Sequence, residues 1–362
     1  MFSQDDHHWM ARAIHLAQKG RYTVEPNPAV GCVLVRDGKL VGEGWHIQAG
    51  GPHAEVHALR QAGDRAKGAT AYVTLEPCSH HGRTPPCAQG LIDAGVARVV
   101  AAMVDPNPQV AGRGLKMLEA AGIETAHGLL AADARALNPG FLTRMEKGRP
   151  FVRIKLAASL DGCTALANGR SKWITGAEAR ADVQRLRALS GAIVTGSGTV
   201  LADEPALNVR AAQFPDPYPL KTPRQPLRVV LDRRQRLSPD NPFFAHELPT
   251  LVVSDSKDPR HFPDGVEKLA LAGGPEALLA ELARRQINSV LVEAGASLAG
   301  AFIAAGLWDE LVLYQAPKLM GLDSRGLLAL PAFDHMAQVP RVRIADVRPV
   351  GQDLRLTLTP EA

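Results

Sequence analysis

Between residues 53 and 87 the chain carries His53-Ala54-Glu55, then Pro77-Cys78 and Pro86-Cys87, and the rest of the chain is organised around this stretch. One imidazole and two thiolates are a ligand set that suits zinc. Three protein ligands leave the fourth tetrahedral position for water, as in catalytic sites; structural sites close with four. Glu55 lies two residues after His53 and can stand beside a metal without ligating it, where a proton shuttle belongs. A structural knuckle would use the same residue types but needs a fourth ligand, for which His57, His80 and His81 are the spare candidates. Such a knuckle has no use for a fixed carboxylate.

His-x-Glu followed by Pro-Cys-x-x-Cys is the signature of zinc-dependent nucleobase deaminases. Here the two cysteines stand nine positions apart, so the second arm carries an insertion, Ser79-His80-His81-Gly82-Arg83-Thr84 among it. A polar loop with a cation and hydroxyls suits a phosphate near the metal; the alternative is a solvated loop that only supports the zinc.

A length of 362 residues favours two domains. A net charge of +4 and 5% aromatic residues leave no electrostatic or stacking footprint for nucleic acid, which argues against a tRNA- or DNA-editing deaminase. The N-terminus, with Asp5, Asp6, His7 and His8, lacks the basic and apolar regions of a signal peptide, and no stretch approaches a membrane span. Four cysteines (Cys32, Cys78, Cys87, Cys163) are too few for a disulfide scaffold, and two are already claimed as ligands. A cytoplasmic enzyme is expected.

Along the first half, helical spacing covers residues 6–19, and Val30–Val35 and Leu40–Trp45 read as a hairpin turning at Asp37-Gly38. Asn27, between two prolines, either presents its amide to a pyrimidine edge or simply closes a turn; His46 faces the same choice. His53 to Ala62 reads as a helix, which places His53 and Glu55 at its positive end. Cys78 is expected near the start of the next helix or loop. A strand from Arg98 to Val104 and a helix from Gly114 to Ala121 continue the alternation that argues for an α/β sheet. The charged run at 138–149 is the expected boundary, with domains at 1–146 and 147–362.

In the second half Phe151–Ala157 reads as a strand in which Lys155 suggests an edge or solvent-facing position. Ser171–Thr175 reads as loop-to-strand and Ala177–Leu189 as a helix. Gly196-Ser197-Gly198-Thr199 after a strand can approach a pyrophosphate, although it lacks the third glycine of the dinucleotide fingerprint. Val290–Glu293 runs into Ala294-Gly295-Ala296-Ser297, a strand–glycine–helix junction with free N–H groups for an anion. Glu293 either faces a ligand or is a satisfied strand end.

Taken together, Asn27–Cys32, His53–Glu55, Thr74–His80 and Thr84–Cys87 resemble the deaminase domain of the bifunctional riboflavin-biosynthesis deaminase/reductases, including the long insertion between the cysteines. Lys155, Ser159–Gly162, Ser171–Thr175, Thr199–Asp203 and Val292–Gly295 resemble the reductase domain of the same family, in the family's order. The resemblance implies a cytidine-deaminase-like α/β/α domain followed by a dihydrofolate-reductase-like α/β domain. It implies zinc-dependent deamination of 2,5-diamino-6-(5-phosphoribosylamino)pyrimidin-4(3H)-one, then NADPH-dependent reduction of the product's ribosyl group to ribityl. By position it implies His53, Cys78 and Cys87 as ligands of one Zn2+ and Glu55 as the proton shuttle. Asn27, His46, His80, Arg83 and Asn107 would hold the deaminase substrate. Ser171, Arg187, Leu207, Arg210 and Glu293 match reductase substrate positions. Ala157, Trp173, Thr199, Asp203 and the run Gly295, Ala296, Ser297, Leu298, Ala299, Gly300 and Ala301 match cofactor positions. The residue that reads the NADPH 2′-phosphate is left unplaced, with Arg233 and Arg234 as candidates. Where family members often carry a basic residue after the Asp-Gly turn, this chain has Cys163. The expected partner is a small phosphorylated pyrimidine, with neither nucleic acid nor membrane, and the expected state is a homo-oligomer.

Overall fold

The first helix, α1 (Gln4–Gln18), opens on a capping box: Ser3 Oγ accepts from the Asp6 N–H at 3.0 Å, and the Asp6 carboxylate accepts from the Ser3 N–H at 2.8 Å. This is seen in a computed structural model that describes residues 1–79, 86–108, 110–245 and 247–361. The same buried carboxylate accepts from Tyr72 Oη at 2.8 Å and Arg98 Nη1 at 2.7 Å, so the cap also pins α1 to the sheet. Burial alone would raise the Asp6 carboxyl; Arg98, the Ser3 amide and Tyr72 outweigh it and hold the group well below the usual carboxylate range.

Contacts divide the chain into two units, Met1–Gly148 and Arg149–Ala362. In the first, β1 (Gly31–Arg36) and β2 (Lys39–Trp45) form the expected hairpin, with φ of 51° at Asp37 and 70° at Gly38. α2 (Ala54–Ala62) crosses this hairpin so closely that a Cβ on Gly42 would lie 2.2 Å from the Ala58 carbonyl oxygen and one on Gly44 2.6 Å from that of Ala54. Those two glycines therefore set the depth at which the start of α2 sits. β3 (Thr70–Val73), α3 (Cys87–Asp93), β4 (Arg98–Ala101), α4 (Arg113–Ala120), β5 (Glu124–His127), α5 (Ala131–Leu137) and α6 (Pro139–Lys147) complete the unit.

Among the described residues the sheet has five strands in the order β2-β1-β3-β4-β5, antiparallel at the hairpin side and parallel from β3 to β5. Alternate residues of β1 enter two cores. Cys32 and Leu34 pack with α2, α3 and α4, and Val33 and Val35 pack with α1, α5 and α6. The charged run near residue 144 is thus no loose linker. It is the outer face of α6, whose Phe141 and Leu142 are buried behind a proline-started first turn.

The second unit runs β6 (Phe151–Ser159), β7 (Cys163–Ala165), α7 (Ala177–Ala188), β8 (Ala192–Gly196), α8 (Ser197–Asp203), β9 (Leu227–Leu231), β10 (Thr250–Ser254), β11 (Val266–Ala270) and α9 (Gly274–Arg284). It closes with β12 (Ser289–Glu293), α10 (Ala296–Ala304), β13 (Glu310–Ala316), β14 (Arg325–Gly326), β15 (Val342–Val350) and β16 (Asp353–Pro360). Among the described residues nine strands form one sheet, β11-β10-β9-β8-β12-β6-β13-β16-β15, parallel from β11 to β13 and ending in an antiparallel hairpin. Both faces are covered. Val290 and Val292 pack with α9 and α10, and Leu291 packs with α7 and α8.

The chain leaves β8 toward β9 but leaves β12 toward β13, so the sheet has its topological switch point between β8 and β12, where α/β sheets bind ligands. Two expectations fail here. Ser171–Thr175 forms no strand. Lys155 lies not on an edge but on β6, between β12 and β13, a position that strand propensity cannot reveal.

Candidate active sites in the two units

In the first unit His53 is the N-cap of α2, with φ −74° and ψ 168°, and its ring makes no cap hydrogen bond. Cys87, rather than Cys78, opens a helix; Cys78 sits in an irregular segment, and its Sγ accepts from the Cys87 N–H at 3.3 Å. The three ligand atoms lie within 4.8 Å of one another, with His53 Nδ1 3.2 Å from Cys87 Sγ and 3.7 Å from Cys78 Sγ. The Cys87 thiol and the half-buried His53 ring pull Cys78 down to about 4 against burial, and the neighbouring Cys78 thiolate, with burial, pushes Cys87 up. One thiolate and one thiol thus share a proton that a metal ion displaces. An imidazole with two such sulfurs fits zinc. Among the described residues no fourth His, Cys, Asp or Glu joins the cluster; His57 stands apart, its Nε2 buried without a partner.

Glu55 is 3% exposed in the first turn of α2 and is hydrogen-bonded to Cys87. Burial raises its carboxyl above the ordinary value, opposed by His53, which suits a group that must both take and return a proton.

The loop residues ahead of the hairpin reach the same place. His46 Nδ1 donates to the Pro52 carbonyl at 3.0 Å, which leaves Nε2 to accept from Asn27 Nδ2 at 3.1 Å. Burial lowers the His46 pKa and keeps the ring neutral, in agreement with that tautomer. The His46 and His53 rings meet edge to face with centroids 5.4 Å apart. Asn27 and His46 therefore form a hydrogen-bonded chain that ends at the ligand cluster.

Sequence reasoning passed over Glu76. Its buried carboxylate accepts four backbone N–H groups, of Asp105 (3.1 Å), Gly112 (2.9 Å), Gly114 (2.8 Å) and Leu115 (3.3 Å). It ties the segment carrying Cys78 to the loop carrying Asn107, whose N–H is held by Asp105 Oδ1 at 2.8 Å. No pattern in the sequence marks Glu76 as such a clamp, because all four partners are main-chain groups. His80 and Arg83 lie outside the described residues.

In the second unit a cavity of about 1590 Å³ opens at the ends of β6, β8, β9 and β12. That exceeds the roughly 300–1,000 Å³ of a single small-ligand site and leaves room for two molecules. At one end Arg187 grips Glu293 with two hydrogen bonds, 2.6 and 2.9 Å, and Lys155 faces the pair. Burial would raise the Glu293 carboxyl, but Arg187 holds it below the usual value; burial lowers Lys155, with Glu293 opposing. Leu207 lies on a tightly held loop. Arg228 Nη1 donates to the Ala206 carbonyl at 3.3 Å and Arg187 Nη1 to that of Asn208 at 3.1 Å. Gln225 bonds Val209 in both directions at 2.9 Å, and Gln184 accepts the Arg210 N–H at 3.0 Å. Ser171, Leu207 and Arg210 all face the cavity.

Directly after β12, α10 (Ala296–Ala304) starts from Gly295 without a side-chain cap. Its first residues, Gly295 to Leu298, line the cavity, and the N–H groups of a helix start are donors suited to a pyrophosphate. Ala157, Thr199, Asp203 and Ala301 line the same space; Trp173, 63% exposed, does so with Arg180 stacked 4.5 Å from its ring centroid. Within the run 295–301, Ala299 and Gly300 do not line it. They fall on the inner face of the helix, Ala299 in the core and Gly300 where a Cβ would lie 2.2 Å from the Ala329 carbonyl oxygen.

The cytidine and deoxycytidylate deaminase zinc-binding region matches residues 3–128, and the RibD C-terminal domain matches residues 150–356. Riboflavin biosynthesis protein RibD of Escherichia coli strain K12 is 54% identical over 98% of this chain and 99% of its own length. The structure of Acinetobacter baumannii RibD, form 1, superposes with a TM-score of 0.93 at 48% identity over 99% of both chains. A diaminohydroxyphosphoribosylaminopyrimidine deaminase/5-amino-6-(5-phosphoribosylamino)uracil reductase from Thermotoga maritima superposes with a TM-score of 0.89 at 36% identity, again over 99% of both. The cytidine-deaminase-like and dihydrofolate-reductase-like folds expected from the sequence are therefore both present. Since the likeness runs through both units from end to end, the chain belongs to the RibD family of riboflavin biosynthesis proteins.

Proposed function

We propose that residues 1–146 deaminate 2,5-diamino-6-(5-phosphoribosylamino)pyrimidin-4(3H)-one and that residues 147–362 reduce the ribosyl group of the resulting aminouracil, with zinc and NADPH as the two cofactors. The observation that carries this reading is the convergence of His53, Cys78 and Cys87 beside a buried Glu55. These three residues would hold zinc, which when bound supplies a Lewis acid that acidifies water. Glu55 takes the proton of the attacking water and returns it to the departing amine. Asn27 and His46 hold the pyrimidine, with His80, Arg83 and Asn107 assigned to the ring and phosphate.

In the second unit NADPH, when bound, supplies the hydride that adds to the open-chain C1 of the ribosylamino group. Ala157, Trp173, Thr199, Asp203 and the helix start at Gly295–Leu298, with Ala301, hold the cofactor. Ser171, Arg187, Leu207, Arg210 and Glu293 hold the substrate, and Arg187 and Arg210 suit its phosphate. Lys155 adds a third cation at that end.

The test follows NADPH oxidation at 340 nm alongside ammonia release when zinc-loaded protein meets the diaminopyrimidine. Both signals are expected, ammonia first. Ammonia without oxidation, even with the aminouracil supplied, would sink the reductase assignment.

We place the chain in the cytoplasm as a homo-oligomer. Among the described residues no helix is long and apolar enough to cross a membrane. Edge strand β15 exposes Val342, Ile344 and Val347 at 43, 59 and 51%, a surface that a second copy would cover. Light scattering on the purified protein should give a multiple of 38.6 kDa, and fractionated cells should carry the protein in the cytosolic fraction; a monomer, or membrane recovery, refutes the respective statement.

A further inference from the structure

A dinucleotide in this cavity has to span several strand ends, and the sheet order says which. Glu293 ends β12 beside its register partner Lys155 of β6, Arg187 of α7 grips it, and α10, uncapped by a side chain, follows β12. With the nicotinamide half directed to that substrate end, the chain of the cofactor runs over β8, and the adenosine half comes to the next strand outward, β9. Beyond β9 the turn carries three arginines that line the cavity, Arg233, Arg234 and Arg236.

A site that reads a bare ribose 2′-hydroxyl sets a carboxylate against it, whereas a site for a 2′-phosphate sets an arginine there. The carboxylate at this turn is Asp232, and it is fully buried under the turn. It accepts the N–H groups of Arg236 at 2.9 Å and Leu237 at 3.0 Å, and Arg260 Nη1 at 2.9 Å. These bonds fix the turn, with Gln235 at φ 53°, and leave Asp232 unavailable to a ligand. The three arginines differ in what they hold. Arg233 is ion-paired with Asp255 at 2.9 Å. Arg236 donates through Nη2 to Ser197 Oγ at 2.9 Å, in the glycine-flanked stretch after β8, and meets no carboxylate among the described residues. Arg234 has no partner among them. Solvated surface arginines are common, but two uncompensated guanidiniums on a rigid turn, at the wall of a cavity and with the local acid withdrawn, are matched by a dianion.

We propose that Arg234 and Arg236 bind the 2′-phosphate of NADPH and make this chain select NADPH over NADH, while Arg233 contributes little. This rests on the reading of the second unit as an NADPH-dependent reductase and adds to it the residues that set cofactor choice.

The test is calorimetric titration of the full chain with NADP+, NAD+, adenosine 2′,5′-bisphosphate and ADP, independent of turnover. The wild type is expected to bind NADP+ about 10²-fold more tightly than NAD+ and the bisphosphate more tightly than ADP, as charge-assisted phosphate contacts require. Replacing both residues (Arg234→Ala with Arg236→Ala) should raise the Kd for NADP+ by most of that factor and change the Kd for NAD+ less than about threefold. Arg233→Ala should leave the ratio nearly intact. An unchanged ratio in the double variant, or its collapse in Arg233→Ala alone, overturns the assignment. Equal wild-type binding of NADP+ and NAD+ overturns it and leaves the reductase reading standing, whereas binding of neither brings down both.

Discussion

Glu55→Gln keeps its zinc and loses ammonia release by about 10²- to 10⁴-fold, the range of a removed general acid–base. The change is nearly isosteric at a site that is 3% exposed, so the packing of α2 on Gly42 and Gly44 and the ligand cluster should survive. The amide neither takes up nor releases a proton in the working pH range. Metal analysis by emission spectroscopy and an ammonia assay on the same sample separate the two effects. A zinc-loaded variant with wild-type ammonia release would remove Glu55 from the mechanism. When supplied with the aminouracil, the variant should still oxidise NADPH normally, since its reductase residues belong to the other unit.

Arg187→Met destabilises the second unit by about 3–5 kcal/mol, the cost of breaking one partner of a buried ion pair, and lowers reductase kcat/KM by about 10- to 10²-fold, as the loss of a charge-assisted hydrogen bond to substrate requires. Both side chains are nearly enclosed, 11 and 10% exposed. The loss therefore strands Glu293 as an unpaired buried carboxylate and also frees the Asn208 carbonyl from its clamp. The pH response has a definite sign. In the wild type Arg187 overcomes burial and keeps the Glu293 carboxyl below its ordinary value, so the group is ionised at neutral pH. Without the guanidinium burial dominates and the carboxyl rises, so the acid limb of the residual pH–rate profile should move to higher pH. Stopped-flow NADPH oxidation with the aminouracil across pH 5–9 measures both effects; a kcat/KM within threefold of wild type would show that the pair is structural only.

How much of this protein is legible in its sequence follows from the range of each interaction. The His53–Glu55 spacing, the two Pro-Cys pairs, the Asp37-Gly38 turn and the strand–glycine–helix junction at Gly295 are local patterns, in which a few consecutive residues carry the chemistry or the backbone requirement. The proposed boundaries of most helices and strands lay close to the observed ones for the same reason. Lys155 is the clearest contrast. A lysine in an apolar strand suggests an edge, and only the strand order, which places β6 between β12 and β13, turns it into a half-buried lysine at the cavity.

Similarly, a run of seven residues after Gly295 looked uniform in sequence, yet helical geometry sends Ala299 and Gly300 to the core and leaves their neighbours at the cavity. Glu76, Gln225 and Arg228 act on main-chain groups of segments distant in sequence, and main-chain partners have no residue type to recognise. Which arginine near residue 234 has no partner among the described residues was equally invisible, because it depends on Asp232 being buried and Asp255 meeting Arg233. Residue types at short spacing were enough to mark the His53, Cys78 and Cys87 cluster with a carboxylate beside it, the two α/β halves and the family. Which charges are paired, which are buried and which line the cavity emerges from the fold alone, because burial and pairing are set by neighbours that the chain brings together from far apart.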